Sequence, residues 1–269
     1  MKLDILISTF NERIQNVPSI LLDERKDVYY KISFQVTDEK YLHIPSLLLE
    51  RKDVLISVIY SKGISNNRNN ALRMSTSDYC LIADDDVCYT NHYIDDIFNL
   101  LKFNKNIDIF IGKIYTGKNE REYKSYKRNS HKIGWMNYSQ VSSIEIIFKR
   151  VSLIHANILF DSNFGLGGDQ YTQGEEVIFL SDCLKKGLNI KYFPVYFVQH
   201  PYESSGKMIV FDCEHVMYWG ALCKRVYGHL AYLLLFVLLV KHFFYWRKKM
   251  SIREYIYAFY QGVQKYKKK

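Results

Sequence analysis

The apolar positions of this chain fall into short runs separated by polar turns. Leu3 to Ser8 reads as a first buried strand, followed by the polar turn Thr9-Phe10-Asn11-Glu12 and a predicted helix through Leu22. Val28 to Val36 alternates as a second strand and Val54 to Tyr60 forms a third. Tyr79 to Ala83 is an apolar run of strand length, Tyr93 to Phe103 has helical spacing, and Ile107 to Ile114, Ser142 to Phe148 and Ile190 to Gln199 supply further strands. This alternation predicts an α/β fold built from βαβ units. Val17-Pro-Ser-Ile-Leu-Leu-Asp-Glu-Arg-Lys-Asp-Val is echoed by Ile44-Pro-Ser-Leu-Leu-Leu-Glu-Arg-Lys-Asp-Val. With no third copy, the echo marks two similar passages into a strand and not a repeat architecture.

The polar stretches carry the candidate chemistry. The strand from Tyr79 ends abruptly in Asp84-Asp85-Asp86, adjacent carboxylates that repel one another and need a counter-charge. A divalent cation, Mg²⁺ or Mn²⁺, is the predicted one, because oxygen-rich sites suit these ions and leave coordination places for phosphate and water. Carboxylates at the carboxyl end of a buried strand also lie where open α/β sheets bind ligands. Upstream, Gly63-Ile-Ser-Asn-Asn-Arg68-Asn-Asn-Ala-Leu predicts a helix capped by Ser65, with Arg68 one turn in, where an anion would bind. Tyr115 to Asn137 is polar, basic and rich in Tyr, and is expected to be a mobile surface loop able to approach a phosphate or a glycan.

A second cluster runs from Phe160 through the glycine-rich stretch to Gly174-Glu175-Glu176, which opens a helix with apolar Val177, Ile178, Leu180 and Leu184. Carboxylates in a first helical turn commonly serve as dipole-favoured caps. Delivered by a flexible loop into a cleft, they can instead act as a base toward a hydroxyl. The strand ending at His200 brings an imidazole to the same side, suited to complete a metal shell.

Composition narrows the classes. A chain of 269 residues, 48% apolar with 4 prolines, supports one large domain or a domain with an appendage. With 37 Lys and Arg against 28 Asp and Glu, the net charge is +9, concentrated in Lys118 to Lys132 and in the tail from Lys241. Phosphate-bearing substrate or anionic lipid fits this excess. Nucleic acid does not, since no zinc-finger or RNP-like pattern accompanies it. The five cysteines form no C-x-x-C pair and read as bystander thiols in a reducing cytosol. Asp4 interrupts the apolar start and no small-residue cleavage site follows, so the N-terminus reads as the start of a domain, not a signal peptide.

The tail changes character from Met208, which sets the expected domains at 1–207 and 208–269. Val226 to Val240 lacks Asp, Glu, Lys and Arg, with Lys224-Arg225 before it and Arg247-Lys248-Lys249 beyond it. The run is shorter than the ~20 residues of a spanning helix. Its aromatic and basic flanks predict a helix at a membrane interface, with a helix buried on the domain as the other reading.

Taken together, Ile7-Ser-Thr-Phe-Asn-Glu12, Gly63-x-Ser-x-x-Arg68-Asn69-x-Ala71-Leu72, Asp84-Asp85-Asp86, Phe164-Gly-Leu-Gly, Gly174-Glu-Glu176-x-Ile-Phe-Leu and His200 resemble bacterial glycosyltransferases of family 2. The Asp triplet stands as a version of that family's D-x-D motif. Where the family has Asp-Asp-Gly-Ser after its second strand this chain has Gln35-Val-Thr-Asp38, and the family's Glu-Asp is Glu175-Glu176. The resemblance implies a GT-A fold, a Rossmann-like, mostly parallel central sheet with flanking helices, followed here by the C-terminal helical segment. It implies inverting, metal-dependent transfer of a sugar from a nucleotide-sugar to a glycan or lipid-linked acceptor at the inner face of the cell membrane, in bacterial surface polysaccharide synthesis. Under it, Asp86 with Asp84 and His200 holds Mn²⁺ or Mg²⁺. Thr9, Glu12, Asp38, Arg68 and the Asp84-Asp85 pair hold the nucleotide, and Glu176, or alternatively Glu175, is the base. A sugar-phosphate nucleotidyltransferase would need a glycine-rich basic loop where Thr9-Phe10-Asn11-Glu12 stands. A non-enzymatic membrane-bound scaffold is the remaining alternative, and an EF-hand calcium module fails on spacing, with Cys88 and Tyr89 at the fifth and sixth loop positions.

Overall fold

The computed structural model describes residues 1–202 and 211–266, and the chain divides into two compact units, Met1–Tyr202 and Glu203–Lys269. The expected boundary after residue 207 and the tract 203–206 following His200 lie outside the described residues.

The first unit is built on eight strands: β1 (Leu3–Phe10), β2 (Val28–Gln35), β3 (Val54–Ile59), β4 (Tyr79–Asp84), β5 (Ile109–Tyr115), β6 (His131–Lys132), β7 (Ile146–Lys149) and β8 (Ile190–Gln199). Their order is β3-β2-β1-β4-β7-β5-β8-β6. The first four are mutually parallel and β5 pairs parallel with β8, while β7 runs antiparallel between β4 and β5 and β6 antiparallel along β8. The sheet is therefore mixed and mostly parallel. Strand order reverses between β1 and β4, because the chain steps outward through β2 and β3 and then returns to the other side of β1. Such a reversal opens a crevice at the strands' carboxyl ends.

The period-two alternation of β1 explains why both faces are covered. Leu3, Ile5 and Ile7 join one core with Ile94, Ile97 and Leu101 of α3 (Asn91–Phe103). Leu6 joins the opposite core with Ala71 and Leu72 of α2 (Ile64–Met74) and Phe179 and Leu180 of α5 (Glu175–Lys185). Asp4 is fully buried yet satisfied: it accepts from the Thr76 and Ser77 amides at 2.6 and 2.9 Å and from the Ser77 hydroxyl at 2.8 Å. Those bonds fix the start of β1 against the turn entering β4, so the two strands reach the crevice in register, Ser8 opposite Asp84.

Four local expectations change. The helix after the Thr9 turn is 3₁₀, Asn11–Ile20, with Pro18 inside it, where a proline cannot supply the amide an α-helix needs. Helix α2 starts at Gly63 with no side-chain cap, because the Ser65 hydroxyl donates instead to the Phe164 carbonyl at 2.7 Å. Ser143–Glu145 is a 3₁₀ turn closed by a Ser142/Glu145 capping box, and only Ile146–Lys149 is strand. The Tyr-rich loop, expected to be mobile, is pinned at its centre: Lys124 Nζ donates to Glu145 Oε2 at 2.5 Å and the Tyr126 hydroxyl to Oε1 at 2.6 Å. Glu145 is itself buried, and a buried charge is held where its partners are.

The second unit contains α6 (Cys213–Tyr227), α7 (Ala231–Lys241), α8 (Phe243–Trp246) and α9 (Ile252–Lys265), closed on Val216, Ala231, Trp246, Tyr255, Phe259 and Val263. Helices α6 and α9 touch backbone to backbone, since a Cβ at Gly220 would collide with the Phe259 carbonyl and one at Gly262 with the Met217 carbonyl. The apolar run expected as one helix over Val226–Val240 is interrupted by the turn Gly228–Leu230, with Gly228 at φ +62°. Helix α7 then serves two surfaces. Ala231, Leu234, Leu235 and Leu238 pack into the unit, while Leu233, Phe236, Val237 and Val240 are exposed. By length and composition alone, Cys213–Lys241 is apolar enough to cross a membrane, with 17% of its most apolar window buried.

Candidate active site

The carboxyl ends of β1 and β4 bring Thr9 beside the aspartate triplet, whose three members have different fates. Asp85 points inward, 4% exposed, accepting from the Thr9 hydroxyl at 2.7 Å and from Arg13 Nε at 2.7 Å. Burial pushes its pKa up and the hydrogen bonds from Arg13 and Thr9 oppose this. Asp86 points outward, 46% exposed, with Oδ2 accepting from Arg13 Nη2 at 2.8 Å and Oδ1 facing His200 Nε2 at 3.5 Å. Those partners, His200 foremost, hold its carboxyl below the usual range. Asp84 lies between, accepting from Arg68 Nη2 at 3.0 Å.

Arg68 ties this triplet to the second cluster. Its side chain, 6% exposed, donates through Nη1 to Glu175 Oε1 at 2.8 Å and through Nη2 to Ser143 Oγ at 2.8 Å as well as to Asp84, and lies over the Phe160 ring. Burial, the largest influence, works against its charge, and Asp84 and Glu175 more than reverse that. Its neighbour Asn69 fixes Phe160 by paired bonds of 2.8 Å to that residue's amide and carbonyl. The glycine-rich loop passes close enough to Glu175 that a Cβ on Gly165, at φ +100°, would meet the carboxyl carbon at 3.0 Å. Glu175 is thus clamped from both sides, whereas Glu176 is only partly shielded. Its pKa is pushed up to about 8, first by burial and then by the neighbouring Glu175 charge, with Arg68 pulling the other way.

His200, the residue after β8, has Nδ1 2.7 Å from the Pro201 carbonyl, an atom that can only accept, so Nδ1 carries a proton and Nε2 is the nitrogen offered to Asp86. The hydrogen bond to Asp86 raises the imidazole pKa against the opposing effect of burial. Among the described residues no group of three His, Cys, Asp or Glu side chains is arranged to enclose a metal. Asp86 Oδ1 and His200 Nε2, 3.5 Å apart, instead present one oxygen and one nitrogen side by side. Such a pair would suit an ion that takes few protein ligands and fills its shell from phosphate and water.

The sequence-predicted residues therefore divide. Thr9, Arg68, Asp84, Asp85, Asp86, Glu175, Glu176 and His200 lie in one connected network. Glu12 is exposed without a hydrogen bond or ion pair among the described residues, and Asp38 is exposed, accepting from the Lys40 amide at 3.0 Å. The β2 end reaches the site through Thr37, whose amide donates to Asn11 Oδ1 at 3.0 Å, an arrangement that holds Asn11 at φ +47°. Arg13 went unnoticed in the sequence. Its signal was the unbalanced charge of the triplet, which guanidinium groups supply here before any metal does.

A strand-order reversal with acids at the carboxyl ends of its strands and glycine-delivered carboxylates beside them is the arrangement of an α/β ligand-binding site. The model of "Glycosyl transferase family 2" matches residues 4–157, from β1 through the triplet to helix α4 (Arg150–Ala156) and the residue after it, and the chain belongs to that family. It is a glycosyltransferase. Among solved structures it is similar to S. aureus TarS 1-349 in complex with UDP-GlcNAc, with a TM-score of 0.69 at 15% identity over 98% of this chain and 82% of that one. The same fragment in complex with UDP gives 0.62 at 16% identity, covering 98% and 81%. The longer TarS structure gives 0.60 at 16%, covering 98% of this chain and 49% of that one. At such identities the likeness speaks to the fold. No curated protein matches this chain.

Proposed function

We propose that the enzyme performs a single, inverting displacement at the anomeric carbon of a nucleotide-sugar. The observation that carries this is Arg68, which joins donor-side Asp84 to acceptor-side Glu175 across one guanidinium, at 3.0 and 2.8 Å. Donor and acceptor chemistry thereby share one cleft, as a direct displacement requires. Glu176 is the base. Its raised pKa brings it near working pH, and Glu175, held by Arg68, is left to orient it. As the acceptor hydroxyl attacks from the face opposite the diphosphate, its oxygen bonds to the anomeric carbon, its proton passes to Glu176 and the bond to the diphosphate breaks with its electron pair.

Asp86, His200 and Asp84 would hold Mn²⁺ or Mg²⁺, which when bound neutralises charge developing on the departing diphosphate. Thr9 and Asp85 form the floor beneath that position, and Asn11 with Thr37 lines the side toward β2. The likeness to TarS, crystallised with UDP-GlcNAc, makes a UDP-linked sugar the donor class to test first. The acceptor is a glycan borne on a lipid at the inner face of the cell membrane. Supporting this, the exposed apolar stripe of α7 is followed by exposed Phe244 and Tyr245 and by Arg247, Lys248 and Lys249, a combination suited to anionic headgroups.

Incubation with Mn²⁺ and a panel of nucleotide-sugars, reading nucleoside diphosphate release with and without a lipid-linked glycan, tests the reading. Release that depends on both donor and acceptor and stops in EDTA supports it. Full activity in EDTA removes the cation, and release of pyrophosphate from a nucleoside triphosphate would make the protein a nucleotidyltransferase.

A further inference from the structure

The guanidinium of Arg13 lies where an incoming cation must compete. It engages Asp85 through Nε at 2.7 Å and also through Nη2, and the same Nη2 donates to Asp86 at 2.8 Å, so one edge of the fork is committed to two acids. The other terminal nitrogen, Nη1, makes no hydrogen bond among the described residues, and the side chain is 51% exposed. The two acids hold it unequally. Asp85 is buried and also bound by Thr9, and so remains a fixed tether, while Asp86 is half exposed and shared with His200.

A divalent ion ligated by Asp86 would stand within a few ångströms of this guanidinium. Two positive centres at that range repel substantially in a partly desolvated cleft. A diphosphate arriving with the ion removes the conflict. It supplies negative charge for both, and a guanidinium turned about its Asp85 tether can offer two parallel N–H groups to phosphate oxygens.

We propose that Arg13 is a built-in counter-cation of the donor site: it holds Asp86 against a free divalent ion and passes from Asp86 to the diphosphate when nucleotide and ion arrive together. Binding of the two is thereby coupled. Arg13 is a positioning residue for the donor, an assignment that rests on the donor-site reading above.

The test measures Mn²⁺ binding to the full chain by electron paramagnetic resonance, and UDP binding in the presence of Mn²⁺ by calorimetry, for the wild type and Arg13→Gln. Arg13→Gln should bind Mn²⁺ alone about tenfold more tightly, a modest fraction of the Coulomb repulsion after solvent screening. It should bind UDP with Mn²⁺ about tenfold more weakly, because the phosphate contact is lost. Opposite shifts in the two affinities are the signature, since a merely structural clamp would weaken both or neither. Arg13→Lys keeps the charge near Asp85 without the fork. It should leave Mn²⁺ affinity near wild type and lower UDP affinity, and it carries the test should Arg13→Gln not fold. Equal Mn²⁺ affinity in wild type and Arg13→Gln, with UDP still bound by the wild type, overturns the inference and leaves the donor site standing. A wild type that binds no nucleoside diphosphate with Mn²⁺ overturns both.

Discussion

Arg68 Nη1 donates to Glu175 Oε1 at 2.8 Å across 107 residues of chain, joining the helix that precedes the aspartate triplet to the helix that follows the glycine-rich loop. The bond makes the two carboxylate clusters one electrostatic object. Removing the guanidinium leaves Asp84 and Glu175 without their shared counter-charge, and a buried acid stripped of its partner costs more than the pair contributed.

Arg68→Met should therefore destabilise the protein by about 3 kcal/mol and lower kcat/KM by roughly 10²-fold or more. Urea unfolding and initial rates measure the two effects. A variant with wild-type stability would mean that the buried pair relaxes into solvent, and the electrostatic account of the cleft would fail with it.

We expect Glu176, the proposed base, to set the pH dependence. A base titrating about 8 gives log(kcat/KM) an ascending limb that levels only above that pH. Its folded pKa exceeds the unfolded value of 4.5, so between these limits the folded protein binds the extra proton. The contribution to stability is full below the unfolded pKa and is lost as pH rises through the folded one. Glu176→Gln should abolish the limb, lower turnover by roughly 10²-fold and exceed the wild type in stability above pH 8. Glu175→Gln removes the like charge beside Glu176, so its limb should move to lower pH. If Glu175→Gln abolishes turnover and Glu176→Gln does not, the two roles are exchanged.

The C-terminal helices depend on a contact without side chains. Gly262→Ala would press a Cβ into the Met217 carbonyl and force α6 and α9 apart. We expect a loss of about 1–3 kcal/mol, in the range of overpacked cores, measured by thermal melting of the full chain. An unchanged melt would mean that these helices already slide freely.

Helix α7 offers a test that leaves its packed face alone. Leu233→Glu with Phe236→Glu places charges on the exposed stripe. Co-sedimentation with anionic vesicles at low salt should fall at least about tenfold, with melting unchanged. A wild type that ignores such vesicles makes the stripe something other than a membrane face.

The strand pattern was legible because period-two alternation in β1 and the unbroken apolar run of β4 have few alternative solutions. The carboxylates, the glycine-delivered glutamates and His200 were legible as types at strand and helix ends. What was not legible depended on contacts distant in sequence. Ser65 looks like a cap until Phe164 offers it a carbonyl 99 residues away. Arg13, in a segment read as an ordinary helix, finds Asp85 only once β1 and β4 are neighbours. The loop after β5 has the composition of a free segment, and nothing local shows that Glu145 will be buried beneath it. Nor does the uniform hydrophobicity of α7 distinguish its packed face from its exposed one.

Glu145 closes its own 3₁₀ turn and anchors Lys124 and Tyr126, while Ser143 in the same turn receives Arg68. That turn acts as a bulkhead between the loop and the reaction. Residues on either side of the two anchors, among them Lys118, Arg121 and Arg128, can be exchanged while Arg68 keeps its seat. The loop surface can thereby be remodelled without disturbing the contact that seats Arg68 on Ser143.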